Sequence, residues 1–218
     1  MNYKKYLPII IAVLLFFGLT AQAKAQIIAS FKSKNFVPVS YIGKALPIRN
    51  TPVEIGIELV LEDKIQDLTN SQILWYVDEK LIDKGVGLKN IEFKAKATAG
   101  NSHLIKVVIT HKDKNYSRTF SLPVKGPEFV FKTEKYLYPG ENIISGIPYF
   151  FNVEKVEQLE FSWNILGETK TGLPPFNLEL KVPEKPVFKE LLISVTITNS
   201  KDPLESIVRQ SAIEIKTK

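Results

Sequence analysis

The seven residues "LEFSWNI" at 159–165 alternate without a break, with Leu159, Phe161, Trp163 and Ile165 apolar and Glu160, Ser162 and Asn164 polar. A chain with a period of two is an extended strand, and such a strand can bury only one of its faces. The same period runs through "FNLELKV", where Phe176, Leu178, Leu180 and Val182 form the apolar side. It returns in "IEFKAKA", where Ile91, Phe93, Ala95 and Ala97 oppose Glu92, Lys94 and Lys96. From Gln26 onward no segment keeps a helical period for more than a turn or two. One-sided strands need a second layer to cover them, so the sequence predicts an all-β sandwich.

The order of these segments occurs twice. Trp75 precedes the strand "LIKVVIT" by 29 residues and Trp163 precedes "LLISVTI" by 28, with one alternating strand between in each case. A polar turn follows, "HKDKN" or "NSKDP", and then a last strand, "SRTFSLPV" or "SAIEIKT". This periodicity predicts two tandem sandwich domains, 26–124 and 128–218, joined by the linker Lys125–Gly126–Pro127. Pro127 restricts so short a connection, which predicts a semi-rigid tandem.

Residues 1–25 have the three parts of a secretory signal: Lys4 and Lys5, the apolar run from Leu7 to Leu19, and small residues in "AQAKA". Cleavage after Ala25 is expected, leaving 193 residues of an exported chain in the periplasm, on the surface or outside the cell. Were the segment retained, it would be the chain's membrane attachment. Removing it takes away three lysines and no acid, so the formal charge of +6 falls to +3. That balance, without a run of basic residues, gives no case for nucleic-acid binding. With no cysteine in the chain, an exported protein has to be stabilised by packing alone.

The sequence offers little to catalysis. No G-x-S-x-G, H-E-x-x-H or glycine-rich phosphate loop occurs, and no cofactor is expected. His103 and His111 flank one strand, which holds them about 26 Å apart, and they read as polar strand ends. The acids Glu62, Asp63 and Asp67, and then Asp78, Glu79 and Asp83, are interleaved with Lys64, Lys80 and Lys84 and lack D-x-D-x-D spacing. They read as solvated loops, with a calcium site as the lesser alternative.

In "ILWYVDEK" a tryptophan strand runs into a charged hairpin, and "TAGNSHLIKVVIT" places a Gly-Asn turn ahead of a later strand. These features resemble bacterial immunoglobulin-like and PKD-type modules. In such modules a glycine often follows the aspartate; here Glu79 stands in that place, which leaves a longer loop open. The resemblance implies tandem immunoglobulin-like sandwiches with Trp75 and Trp163 in their cores, used for display or adhesion towards a protein or glycan of the cell envelope. The aromatic stretch "YLYPGENIISGIPYFFNV" adds Tyr136, Tyr138, Tyr149 and Phe150 as candidate partner contacts, with burial at the domain junction as the competing fate. Alternation puts Tyr149 and Phe151 on one face and Phe150 on the other. The alternative function is a periplasmic two-domain pilus chaperone, for which Lys125 and Arg118 are the available basic residues.

Overall fold

The computed structural model describes residues 25–172 and 177–216. Residues 1–24 of the segment read as a signal, and Phe176, lie outside the described residues. Among the described residues the regular elements are strands, apart from one 3-10 turn at Val156–Gln158.

The first eight strands are β1 (Gln26–Ser33), β2 (Pro52–Leu61), β3 (Lys64–Ile65), β4 (Gln72–Val77), β5 (Lys80–Val86), β6 (Asn90–Lys94), β7 (Ser102–His111) and β8 (Lys114–Pro123). In one sheet β2 lies between β1 and β6, with β3 folded back on its end. In the other the order is β5-β4-β7-β8, antiparallel throughout. The second eight are β9 (Glu128–Lys132), β10 (Tyr136–Leu137), β11 (Gly140–Tyr149), β12 (Leu159–Ile165), β13 (Glu168–Gly172), β14 (Leu178–Val182), β15 (Glu190–Asn199) and β16 (Asp202–Ile215). Here β11 lies between β9 and β14, facing the order β13-β12-β15-β16, to which β10 adds a parallel fifth strand. Both halves therefore repeat the strand order of an immunoglobulin-like sandwich.

Each half encloses its own apolar cluster, and the two clusters share no buried residue. Trp75 is fully buried among Ile55 and Leu59 of β2 and Val107 and Ile109 of β7. Its indole N–H donates to the Leu88 carbonyl at 2.9 Å, so the one polar atom of this side chain is satisfied inside the core. Trp163 is also buried, with ring centroids 6.1 Å from both Phe129 and Phe131. The second core is thus the more aromatic. Phe129 lies so close over β11 that a Cβ on Gly146 would meet its ring at 2.0 Å, so glycine is required there.

Four hairpins turn on two residues each, and both residues have positive φ. They are Glu62-Asp63 (51°, 60°), Asp78-Glu79 (49°, 67°), Lys112-Asp113 (48°, 62°) and Leu166-Gly167 (50°, 90°). The longer loop left open at Glu79 is therefore absent; the turn is tight and left-handed without glycine. What holds it is the Asp78 carboxylate, which accepts the Leu104 amide at 2.9 Å and lies 2.6 Å from His103 Nδ1. His103 Nε2 accepts the amides of Lys96 and Ala97 at 2.9 and 3.1 Å, so the proton sits on Nδ1 and is donated to Asp78. The two histidines stand at the two ends of β7 and both are buried. His103 and His111 are 3% and 7% exposed, and His111 Nδ1 lies 2.8 Å from Ser71 Oγ at the opposite end of β7.

Two outcomes follow from this hairpin. Glu79→Gly removes the side chain from a left-handed position and should raise stability in urea titration by about 0.5–1 kcal/mol. For Asp78, burial pushes the carboxyl up, but the Leu104 amide, the His103 imidazole and the Lys80 charge more than offset it, and the value falls below the ordinary 3.8. A depressed value contributes stability that is present above 3.8 and is lost as pH falls through the folded-state value. The urea midpoint of the wild type should therefore fall more steeply on acidification than that of Asp78→Asn.

Candidate functional site

Eighteen residues, 34–51, connect β1 to β2 without regular structure. A connection of that length is uncommon in a compact fold and usually has a role of its own. Pro38 and Pro47 deny it ladder donors, yet it is tied down on the second half of the molecule. The Phe36 amide donates to the Phe151 carbonyl and the Phe150 amide to the Phe36 carbonyl, both at 2.7 Å, and the Phe36 side chain packs against the second core. The Lys125 amide donates to Pro47 at 2.8 Å. Thr51 Oγ1 donates to Asn152 Oδ1 at 2.5 Å, and Asn152 Nδ2 donates to the Arg49 carbonyl at 2.9 Å. The linker 125–127 is therefore one tie among several.

The four aromatic candidates are not brought together. Alternation along β11 turns Ile144, Gly146 and Pro148 inward and Ile143, Ser145, Ile147 and Tyr149 outward. Continued, it would keep Phe151 with Tyr149, but Phe150 has φ of 63° and breaks the period. Phe151 then enters the second core with no exposed surface, while Tyr149 stays half-buried on the outside. Phe150 is 5% exposed and covered edge-on by Tyr41 at 5.7 Å, which is the burial at the junction weighed against a partner contact. Tyr136 and Tyr138 lie towards the start of β11, about 30 Å along the strand direction from Tyr149. Hydrogen bonds from Lys135 and then Lys216 hold the Tyr136 phenol below its ordinary value, and the backbone of Tyr138 is bound to the Asn142 amide.

What does surround Tyr149 is an apolar surface that sequence reasoning missed. Tyr41 meets its ring edge-on at 5.6 Å, and the neighbouring Val39 and Ile42 are fully exposed. Ile147, paired with Val130 of β9, follows Tyr149 on the same outward row, and beyond Ser145 the row reaches the exposed Ile143. The sequence carried one signal for it: "NIISGIPY" is apolar at outward as well as inward positions, which a strand with one wet face does not need.

The junction also has polar partners on the second half. Glu205 of β16 is 9% exposed; its Oε1 accepts the Asn152 amide at 2.6 Å and its Oε2 accepts Asn199 Nδ2 at 3.2 Å. Burial pushes its carboxyl above the ordinary 4.5, against the pull of these donors. A cleft of about 280 Å³ adjoins it, lined in part by Ile48, Arg49, Lys125, Pro127 and Asp202. Arg118 is not there. Its guanidinium donates to the Ile27 carbonyl and closes β1 against β8, so the basic pair expected of a chaperone cleft is not assembled.

The acids weighed as calcium ligands are engaged locally. Glu62 and Asp63 form a turn, Asp67 Oδ1 accepts both the amide and the hydroxyl of Thr69, and Asp78 holds His103. Among the described residues no three His, Asp or Glu side chains are grouped as metal ligands. The arrangement can offer contact: aliphatic and phenolic surface on a backbone fixed from below.

No protein-family model matches the chain, and no curated protein matches it. Among solved structures it is similar to three N-terminal domains of the Highly Immunogenic Outer Capsid protein of bacteriophage RB49, at 10% identity and a TM-score of 0.47, covering 88% of this chain and 59% of that one. It is similar to fibronectin(III)-like modules of CbhA from Clostridium thermocellum, at 14% identity and a TM-score of 0.31, covering 88% and 94%. It is also similar to the amphioxus IgVJ-C2 molecule, at 10% identity and a TM-score of 0.30, covering 88% and 97%. The immunoglobulin-like description of both halves rests on their strand order and register.

Proposed function

We propose that the chain is an exported, non-enzymatic binding protein of the cell envelope or surface, built from two immunoglobulin-like domains and structural or adhesive in role. The reading of export is supported by the lysines, apolar run and small residues of the first 25 positions. The reading of binding is carried by one observation: Val39 and Ile42 stand fully exposed beside the Tyr41–Tyr149 pair, on a loop whose other aromatic residue is spent in fixing it. Folding alone gains nothing from that exposure, whereas aromatic and aliphatic side chains on a fixed backbone suit contact with a protein or glycan at little entropic cost.

The test is retention of envelope material by the immobilised chain from Gln26 onward. The unaltered chain should retain a component of its own cell envelope. Val39→Ser combined with Ile42→Ser and Tyr149→Ala should weaken retention at least tenfold, roughly 1.4 kcal/mol, with the variant still folded at the assay temperature despite the lost Tyr41–Tyr149 ring contact. Equal retention by the triple variant would remove this surface from the function, and no retention by the unaltered chain would count against binding altogether.

A further inference from the structure

We propose that one end of the second half holds a pocket for a single aliphatic chain with an anionic head group, in its simplest form a fatty carboxylate. The pocket includes Val182, which pairs with Gly140 at the start of β11, whereas Tyr149 is at the other end of that strand, so the two sites are separate.

The two halves serve as controls for each other. Trp75 pairs with Val107 across β4 and β7, and Trp163 pairs with Val195 across β12 and β15. Counted from these pairs, Asp78 corresponds to Leu166 and His103 to Leu191. In the first half the polar residues latch this end of the sandwich: His103 donates to Asp78 and accepts the amides of Lys96 and Ala97. In the second half two leucines stand in their places, and a hydrocarbon side chain makes none of these bonds. The end is left as a pocket of about 200 Å³. Its lining joins the buried core residues Ile165, Val182 and Leu191 to Leu166, Val187 and Phe188, which are 60%, 87% and 53% exposed.

Folding alone does not account for Leu166. It is the first of the two left-handed residues of its hairpin, with φ of 50°, where the other three hairpins have Glu62, Asp78 and Lys112. A leucine in that conformation is strained, and here its side chain also faces water. An apolar ligand seated against it offsets the exposure.

Size and charge name the ligand. A cavity of about 150 Å³ lined by Leu, Ile and Phe holds the six carbons of benzene, so on that scale about eight carbons fit here. Lys181 is the one charged residue of the lining, and among the described residues it has no ion-pair partner. An ammonium beside a hydrocarbon pocket suits a chain that ends in a carboxylate or phosphate and disfavours one that ends in a cation. Pro183 and Pro186 restrict the segment that carries Val187 and Phe188, which lowers the cost of ordering it around a ligand.

The probe is octanoate, followed through the amide spectrum of the full chain. It should shift the amides of Leu166, Val187 and Phe188 and bind at least tenfold tighter than butanoate. Octyltrimethylammonium, with the same tail and the opposite charge, should bind more weakly than octanoate. Lys181→Glu should reverse that order, and since Lys181 is exposed the core is untouched. Leu166→Asp gives this turn the residue type of Asp78, which tolerates the left-handed region better than leucine, so the fold should hold while octanoate binding falls at least tenfold. Two sources supply such a chain: changes at the same amides with phosphatidylglycerol vesicles assign a membrane lipid, and changes with octanoate alone assign a free acid. No shift at these amides with octanoate, equal binding of butanoate, an order of head groups that survives Lys181→Glu, or undiminished binding in Leu166→Asp would each overturn the proposal.

Discussion

A pleated strand hides every second side chain and leaves the others facing out, and the whole molecule is arranged around that restriction. Two facing sheets solve it for the inward rows. The outward rows then need polar residues or a cover. On the second half's larger sheet they carry Ser162, Asn164, Ser194 and Thr196, all half-buried and all able to bond water. On β4 of the first half, Leu74 and Tyr76 face out, and Lys106 places its ammonium 5.8 Å from the Tyr76 ring. Along β11 the outward Ile143, Ile147 and Tyr149 are covered only at one end, by Tyr41. The apolar surface at the junction is what that incomplete cover leaves.

The period-two pattern carried most of the fold, because alternation is a local consequence of backbone geometry. Leu159, Phe161, Trp163 and Ile165 are all buried, and the tryptophan strands recur at equivalent places in the two halves. Turn chemistry was harder to read. At Glu79 the preference of a two-residue turn for glycine is overridden by Asp78, whose bonds to His103 and Leu104 span 25 and 26 residues. No local rule contains such partners. For the same reason the histidines read as strand ends, although His103 fastens three segments of chain.

The four aromatic residues singled out in the sequence do not fall together in the fold. Tyr149 lies on the apolar surface; Tyr136 and Tyr138 lie at the other end of β11, and Phe150 lies beneath Tyr41. The misplacement of Phe150 and Phe151 comes from a single left-handed residue, which reverses the phase of everything after it. Loop 34–51 was silent because it has neither period nor motif. Its meaning lies in contacts with Phe151 and Asn152, more than a hundred positions away, which only the folded chain brings within reach.

The Phe36 bridge also bears on how the chain is synthesised. A ribosome delivers loop 34–51 well before residues 150–152, so the bonds of Phe36 and Thr51 to that segment can form only once the later half has emerged. Cut free at Pro127, that later half would keep its strands but lose the aromatic lid over Phe151, leaving a greasy seam open to water.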